Sequence, residues 1–444
     1  MAAATTAATI SSNFLSALLL LFLVYALGGA ADESHQLQHR HTIHLHQDKA
    51  NIPTHAEILR QDEARVKSIH SKFAKNKGQG SINDAANLPA KDGSVVGSGN
   101  YIVKMGLGTP KKDYSLIFDT GSDLTWTQCQ PCARSCYEQQ DPIFDPSLSS
   151  SYSNISCSST ICNALTSATG NSPGCSSSAC VYGIQYGDSS FSVGFFAKDK
   201  LWLTPRDTFT EFLFGCGQNN QGLFGGAAGL IGLGQDYLSL PSQTAAKYNK
   251  YFSYCLPSSP SSTGYLTFGD GGGVSKSVKF TPLSTIPPGP SFYGIDIIGM
   301  TVGSQKLPIS ASVFSAGGAI IDSGTVITRL PPTAYEALKS AFRKQMSQYP
   351  LAQPLSILDT CYDFTNYSTV SVPKISFFFK QDVEVPIDGK GVFYVNDISQ
   401  VCLAFAPNGD DTDVGIFGNT QQKTLQVVYD GAKGRLGFAS GGCS

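Results

Sequence analysis

Two short stretches of this chain carry the same residue types in the same order: Leu116-Ile117-Phe118-Asp119-Thr120-Gly121-Ser122 and Ala319-Ile320-Ile321-Asp322-Ser323-Gly324-Thr325. In each, an apolar run ends in an aspartate, followed by a hydroxyl residue, a glycine and a second hydroxyl residue. The apolar flank buries the strand, and glycine permits the tight turn that exposes the carboxylate. One such copy suits an ordinary Asp-Thr-Gly turn; two copies need a common reason. Two carboxylates at close range cannot both ionise readily, so one keeps a proton while the other serves as a base. One member of such a pair takes a proton from water and the other polarises a carbonyl, the roles exchanging when the leaving group is protonated. The chemistry implied by Asp119 and Asp322 is therefore hydrolysis by an activated water.

The positioning elements recur with the motif. Each copy is followed at a distance by two apolar residues and a glycine, Leu230-Ile231-Gly232 and Ile416-Phe417-Gly418. Strand, turn and strand thus repeat together, which predicts two similar lobes meeting at a shared site, each supplying one aspartate. The chain has 444 residues, 41% of them hydrophobic, enough for a large core in more than one lobe. Its 45 glycines, Ser-rich turns and short Val/Ile/Phe/Tyr runs predict an all-β protein. A net charge of -2 gives no general reason to expect a polyanionic partner.

The histidines restrict the alternatives. All seven (His35, His39, His41, His44, His46, His55 and His70) precede residue 87. Ser-His-Asp triads and Cys-His pairs need an imidazole to take the nucleophile's proton, so the main body has neither. Histidine-ligated zinc hydrolysis is excluded by the same census. No metal and no cofactor is called for.

The first 87 residues are expected to set destination and control. Phe14 to Leu27 is an apolar run followed by Gly28, Gly29, Ala30 and Ala31, too short for a stable membrane span and ending as a signal peptide does; residues 1–31 are assigned to it. No Lys or Arg precedes the run, and the Ala/Thr/Ser-rich start keeps plastid import as the second reading. The expected destination is the secretory pathway, leading to the cell exterior, the wall or the vacuole. Residues 32–87 form a separate unit. Thr54 and Glu57 make a capping-box signal for a helix to about Ala74, with Arg65, Lys67, Lys72, Lys75 and Lys77 along and beyond it. This unit is either a solvated linker helix or a prosegment whose cations cover an acidic cleft, with histidines that loosen the contact when acid charges them. Processing is expected between about Ser81 and Gly97.

All twelve cysteines lie in the presumed mature part: Cys129, Cys132, Cys136, Cys157, Cys162, Cys175, Cys180, Cys216, Cys255, Cys361, Cys402 and Cys443. Behind a signal peptide, six disulfides are a simpler reading than zinc or redox chemistry at Cys129-x-x-Cys132. Spacing alone leaves their connectivity open. Asn154 and Asn366 stand in N-x-S/T sequons that permit glycosylation.

With both aspartate motifs in order, the chain from about residue 98 to 444 resembles the pepsin-like aspartic proteases, and among them the plant nepenthesin-like branch, close to the chloroplast-nucleoid type. The resemblance implies a bilobal acid-protease fold with the cleft between two related lobes, 88–285 and 286–444, and a monomer acting on protein or peptide substrates. It implies that Thr120 and Ser323 lock the two loops together and that Ser122 and Thr325 hydrogen-bond the outer carboxylate oxygens. Tyr186-Gly187-Asp188 looks like the tip of a flap closing over substrate. Trp126, seven residues after the first aspartate, stands where the family places an aromatic partner for the flap tyrosine. The Cys-rich stretch 129–180 looks like the insertion of the nepenthesin-like branch. The resemblance suggests Cys129–Cys132, Cys136–Cys216, Cys157–Cys180, Cys162–Cys175, Cys255–Cys443 and Cys361–Cys402. Thr333-x-x-Glu336 is read as the cap of a helix through about Gln345 behind the site.

Three rival functions compete with the protease. One is a catalytically inactive relative serving as a binding or inhibitor protein; both aspartate motifs and Tyr186 argue against it. Another adds nucleic-acid contact through the basic run 65–77, whose five cations give weak, salt-dependent affinity. A glycosidase carboxylate pair leaves the duplicated loops unexplained.

Overall fold

The computed structural model describes residues 53–72, 86–186, 189–222, 224–270, 274–286 and 291–443. The signal-peptide reading, the five histidines before His55 and the cations Lys75 and Lys77 lie outside them. Among the described residues the strands form one 15-stranded sheet, one of five strands and two of four. The expected all-β architecture is the one observed, with two related halves.

In the first half, β1 (Lys112–Asp119) is buried from Tyr114 to Asp119, on both faces, as a central strand must be. β2 (Trp126–Gln128) follows the turn after Asp119. A hairpin of β3 (Ala179–Gln185) and β4 (Phe191–Trp202) rises beside them, and β4 pairs with β5 (Thr208–Gln221). β6 (Gly229–Gly232) runs parallel to β1 with Gly232 opposite Asp119, and antiparallel to β2 with Leu230 opposite Trp126.

The second half repeats this register with β7 (Ala319–Ile321), β8 (Thr328–Leu330), β9 (Phe405–Pro407) and β10 (Gly415–Phe417). β10 is parallel to β7, with Phe417 opposite Ile321, and antiparallel to β8, with Ile416 opposite Arg329. β8 is parallel to β9 as β2 is parallel to β5. Trp126 and Arg329 therefore occupy equivalent stations, each seven residues beyond its aspartate. The halves are stitched together where Tyr251–Cys255 pairs with Gln426–Asp430.

Helix α1 (His55–Lys72) starts where the capping box places it: the Thr54 amide donates to Glu57 Oε2 (2.7 Å) and the Glu57 amide to Thr54 Oγ1 (3.2 Å). Leu59, Val66 and Ile69 form one helical stripe, each at most 4% exposed, packed against Val326, Ile327, Ile320 and Ile416 of the second half. Helix α2 (Pro332–Gln345) forms as expected, but Thr333 does not cap it. Pro331 holds the cap position, the Thr333 amide and hydroxyl both turn to Asp411, and Glu336 pairs with Lys339. Pro332 at the first position needs no N–H acceptor, which removes part of the demand for a capping side chain.

All twelve cysteines are paired. Cys255–Cys443 and Cys361–Cys402 are as the resemblance suggested; the other four bonds are not. Thr127 stands opposite Cys216 in the β2–β5 ladder, which brings Cys129 within 5.3 Å (Cα–Cα) of Cys216 and leaves Cys132 to close a small loop with Cys136. Cys175 and Cys180 face each other across the turn before β3, and each reaches outward, to Cys157 and Cys162 respectively. Sheet register decides these pairs, and spacing carries no record of it.

Candidate active site

Strand β1 delivers Asp119 and β7 leads into Asp322, both fully buried. The two loops hold each other reciprocally: the Thr120 amide donates to Ser323 Oγ (3.1 Å) and the Ser323 amide to Thr120 Oγ1 (2.9 Å). Ser122 Oγ donates to Asp119 Oδ2 (2.6 Å), and Thr325 Oγ1 to Asp322 Oδ2 (2.5 Å). The Gly121 amide donates to Asp119 Oδ1 and the Gly324 amide to Asp322 Oδ1, each at 2.9 Å. Glycine is required at both places, because a Cβ on Gly324 would collide with the Asp119 carboxylate and one on Gly121 with Asp322. Every hydrogen bond that one carboxylate accepts from its own loop thus has a counterpart on the other.

The hairpin of β3 and β4 carries Tyr186 into the cavity that Asp119 also lines. Its turn is closed by the Tyr186 amide donating to the Ser190 carbonyl (2.8 Å). Trp126 Nε1 donates to Tyr186 Oη (2.8 Å), and Phe224 packs edge-on against both rings. Gly187 and Asp188 lie outside the described residues. Asn154 in the first half and Asn366 in the second are both exposed.

One cation enters the site. Arg65 of α1 places Nη2 at 2.7 Å from Asp119 Oδ1 and at 3.2 and 3.0 Å from the two oxygens of Asp322, while its Nε donates to Asp322 Oδ2 (3.1 Å) and Thr325 Oγ1 (3.3 Å). One guanidinium therefore bridges both carboxylates. Burial alone would raise Asp119, but Arg65, Ser122 Oγ and the Gly121 amide hold it below the ordinary carboxylate value. Burial, reinforced by the Asp119 charge, pushes Asp322 up, and Arg65 offsets this only in part. The site thus favours one ionised and one protonated carboxylate. Burial works against the charge on Arg65, and the two carboxylates more than restore it.

One turn earlier on α1, Asp62 is buried against the second half. Its carboxylate accepts from the amides of Val326 (2.5 Å) and Ile327 (3.1 Å) and meets Arg329 Nη2 at 3.1 Å. Glu63 reaches the same nitrogen (3.2 Å). The sequence marked the cations of 65–77 as a group; the structure singles out Arg65, while Lys67 stays on the surface beside Glu63. Asp62 and Arg329 were not marked at all. The repeated spacing of seven residues, Asp119 to Trp126 and Asp322 to Arg329, was the signal available for Arg329.

These features define a two-lobed, pepsin-like protein with paired Asp-hydroxyl-Gly loops. The family model described as the xylanase inhibitor N-terminal domain matches residues 101–270, and that of the C-terminal domain matches 292–440. An aspartyl protease family protein of Arabidopsis thaliana is 63% identical over 410 residues, covering 91% of this chain and 86% of the relative. The aspartyl protease AED1 of the same plant is 54% identical over 409 residues (90% and 86%). Nepenthesin-1, an aspartic proteinase of Nepenthes gracilis, is 37% identical over 358 residues (78% and 79%). The chain belongs to the plant aspartyl protease family, with nepenthesin-like relatives. Among solved structures, soybean basic 7S globulin superposes with a TM-score of 0.63 at 21% identity, covering 81% of this chain and 97% of the globulin. The protein called edgp superposes with a TM-score of 0.65 at 22% identity (82% and 96%). At those identities the likeness concerns the fold.

Proposed function

We propose that this chain is an aspartic endopeptidase made as a zymogen, in which Asp119 and Asp322 share one proton and activate a water against peptide bonds at acid pH. The observation that carries the reading is the completeness of both loops, each buried carboxylate held by its own hydroxyl and amide on matching strands. In the open cleft the ionised member takes a proton from water as the oxygen attacks the peptide carbon. The protonated member gives its proton to the carbonyl oxygen, forming a tetrahedral diol. Proton return to the nitrogen then releases the amine as the C–N bond breaks and the carboxylic acid reforms. Tyr186, braced by Trp126, covers the substrate and excludes water. Arg65 occupies the place that the water and the scissile carbonyl need, so α1 is the latent state's plug.

Latency in this reading responds to acid with signs that differ by group. Burial holds His55, which contacts the Tyr394 hydroxyl, below its usual 6.5. The docked helix therefore favours the neutral ring, and protonation below pH 6.5 works against docking. The amide and hydroxyl of Thr54 hold Glu57 below 4.5, so its support of the helix start is present above that pH and lost as pH falls through the folded value. Asp119, held below 3.8 by Arg65 against the effect of burial, acts in the same sense at lower pH. Asp62, carried on the helix and pushed up by its burial there, takes a proton more readily when the helix is docked and acts the other way. Three buried apolar side chains supply on the order of 5–9 kcal/mol of docking, against about 1.4 kcal/mol for each unit of pKa displacement. Acid therefore loosens α1, and cleavage commits the release. Ala86, Leu88 and Ala90 are buried in a strand paired on both sides, so the cut belongs before Ala86, in 73–85. The expected outcome for His55→Gln is an activation midpoint moved to lower pH; an unchanged midpoint removes this histidine from the switch.

The six disulfides support secretion into an oxidising compartment, with the signal peptide ending near residue 31. The family description as xylanase inhibitors favours one second reading, an inactive binding protein, which two intact aspartate loops oppose. Acid-incubated full-length chain is expected to cleave a denatured protein and to be inhibited by pepstatin. An inert chain after complete conversion leaves the binding-protein reading standing.

A further inference from the structure

The carboxylate of Asp62 fills a socket made entirely by the second half of the molecule. Val326 N donates to Oδ1 at 2.5 Å and Ile327 N to Oδ2 at 3.1 Å, while Arg329 Nη2 stands 3.1 Å from Oδ2. Arg329 is held in place from its own strand, Nη1 donating to the Ile327 carbonyl at 2.9 Å, and its side chain has no exposed surface. Both acidic partners of that guanidinium, Asp62 and Glu63, come from α1. Its Nε is buried without an acceptor among the described residues. When α1 leaves, the second half keeps two backbone donors and Arg329 Nη2 aimed at one spot, with no acceptor of that half for them among the described residues. Such a set is costly to leave empty and is built for a carboxylate.

The socket also lies in the right place. Val326 directly follows Thr325, whose hydroxyl binds Asp322, so the first donor is one residue from the reaction centre. On α1, Asp62 in the socket and Arg65 on the two aspartates are three residues apart, about 4.5 Å along a helix axis. An extended peptide covers that distance in one to two residues. Arg329 is the register equivalent of Trp126, which braces the cover of the cleft in the first half. We propose that, in the processed enzyme, Val326 N, Ile327 N and Arg329 bind an acidic side chain of the peptide substrate within two residues of the scissile bond, the place held by Asp62 in the latent chain. This rests on the protease reading and adds a substrate class to it.

The test uses acid-converted full chain and matched peptides that differ only by Glu, Gln or Lys at each of the two positions on either side of the cleaved bond, assayed at pH 5, where free glutamate is ionised. At one position, kcat/KM for Glu is expected to exceed that for Gln by about 10- to 100-fold, the range of a hydrogen-bonded charge, with Lys poorest. Arg329→Met is expected to collapse the Glu/Gln ratio at that position to about one. The wild-type comparison stands alone if the variant does not fold. Cleavage of all the peptides with ratios near one at every position overturns the socket and leaves the protease intact, and so does a ratio that survives in Arg329→Met. No cleavage of any peptide overturns the protease reading and the socket with it.

Discussion

Asp119→Asn and Asp322→Asn are each expected to lower kcat for peptide hydrolysis by at least about 10³-fold, within the range of a lost general acid or base. Asparagine keeps one oxygen to accept from the glycine amide, and its amide nitrogen can donate to the Ser122 or Thr325 hydroxyl in place of the oxygen that accepted from it, so the loops persist and the thermal midpoint should stay near that of the parent. What is lost is the ability to hold and pass a proton. Because both carboxylates serve one proton cycle, the double variant should be little worse than either single one. The precursors should be opened through an engineered cleavage site in 73–85, since Asp119 and Asp322 also hold Arg65. Retention of a tenth of the activity in either variant would mean that the pair is not the hydrolytic centre.

The second large effect is expected at Arg65. Removing one partner of a buried ion pair costs about 3–5 kcal/mol, and here one guanidinium serves two carboxylates. Leu59, Val66, Ile69 and Asp62 still hold the helix, so only part of that cost appears as opening. Full-length Arg65→Gln should hydrolyse a small fluorogenic peptide at pH 6 about 10- to 100-fold faster than the parent precursor, without acid treatment. Arg65→Lys should fall between, since an ammonium lacks the fork that bridges both carboxylates. A variant precursor as silent as the parent would show that α1 blocks the cleft without help from this cation.

Much of this architecture is legible in the chain because it is written twice. The aspartate loops and the apolar-apolar-glycine strands that flank them repeat in order, and a repeat of that length constrains the fold more than any single motif. The start of α1 was legible because a capping box is local chemistry between Thr54 and Glu57. The Thr333 box reads the same but is overridden by Asp411, a contact made across 78 residues of chain. The cysteines show the same limit: pairing follows from which strand lies beside Cys216, a matter of tertiary register. Among five clustered cations, only the docking angle of α1 distinguishes Arg65. No motif marks Arg329, and its meaning comes from Asp62, 267 residues earlier in the sequence.

The central claim is that two buried carboxylates sharing one proton do the hydrolysis, and a pH–rate profile of the acid-converted chain tests it most directly. With saturating peptide, kcat should trace a bell with its maximum at acid pH, each limb spanning one proton, as a carboxylate pair requires. A profile that rises toward neutral pH, or no hydrolysis at any pH, would contradict the account.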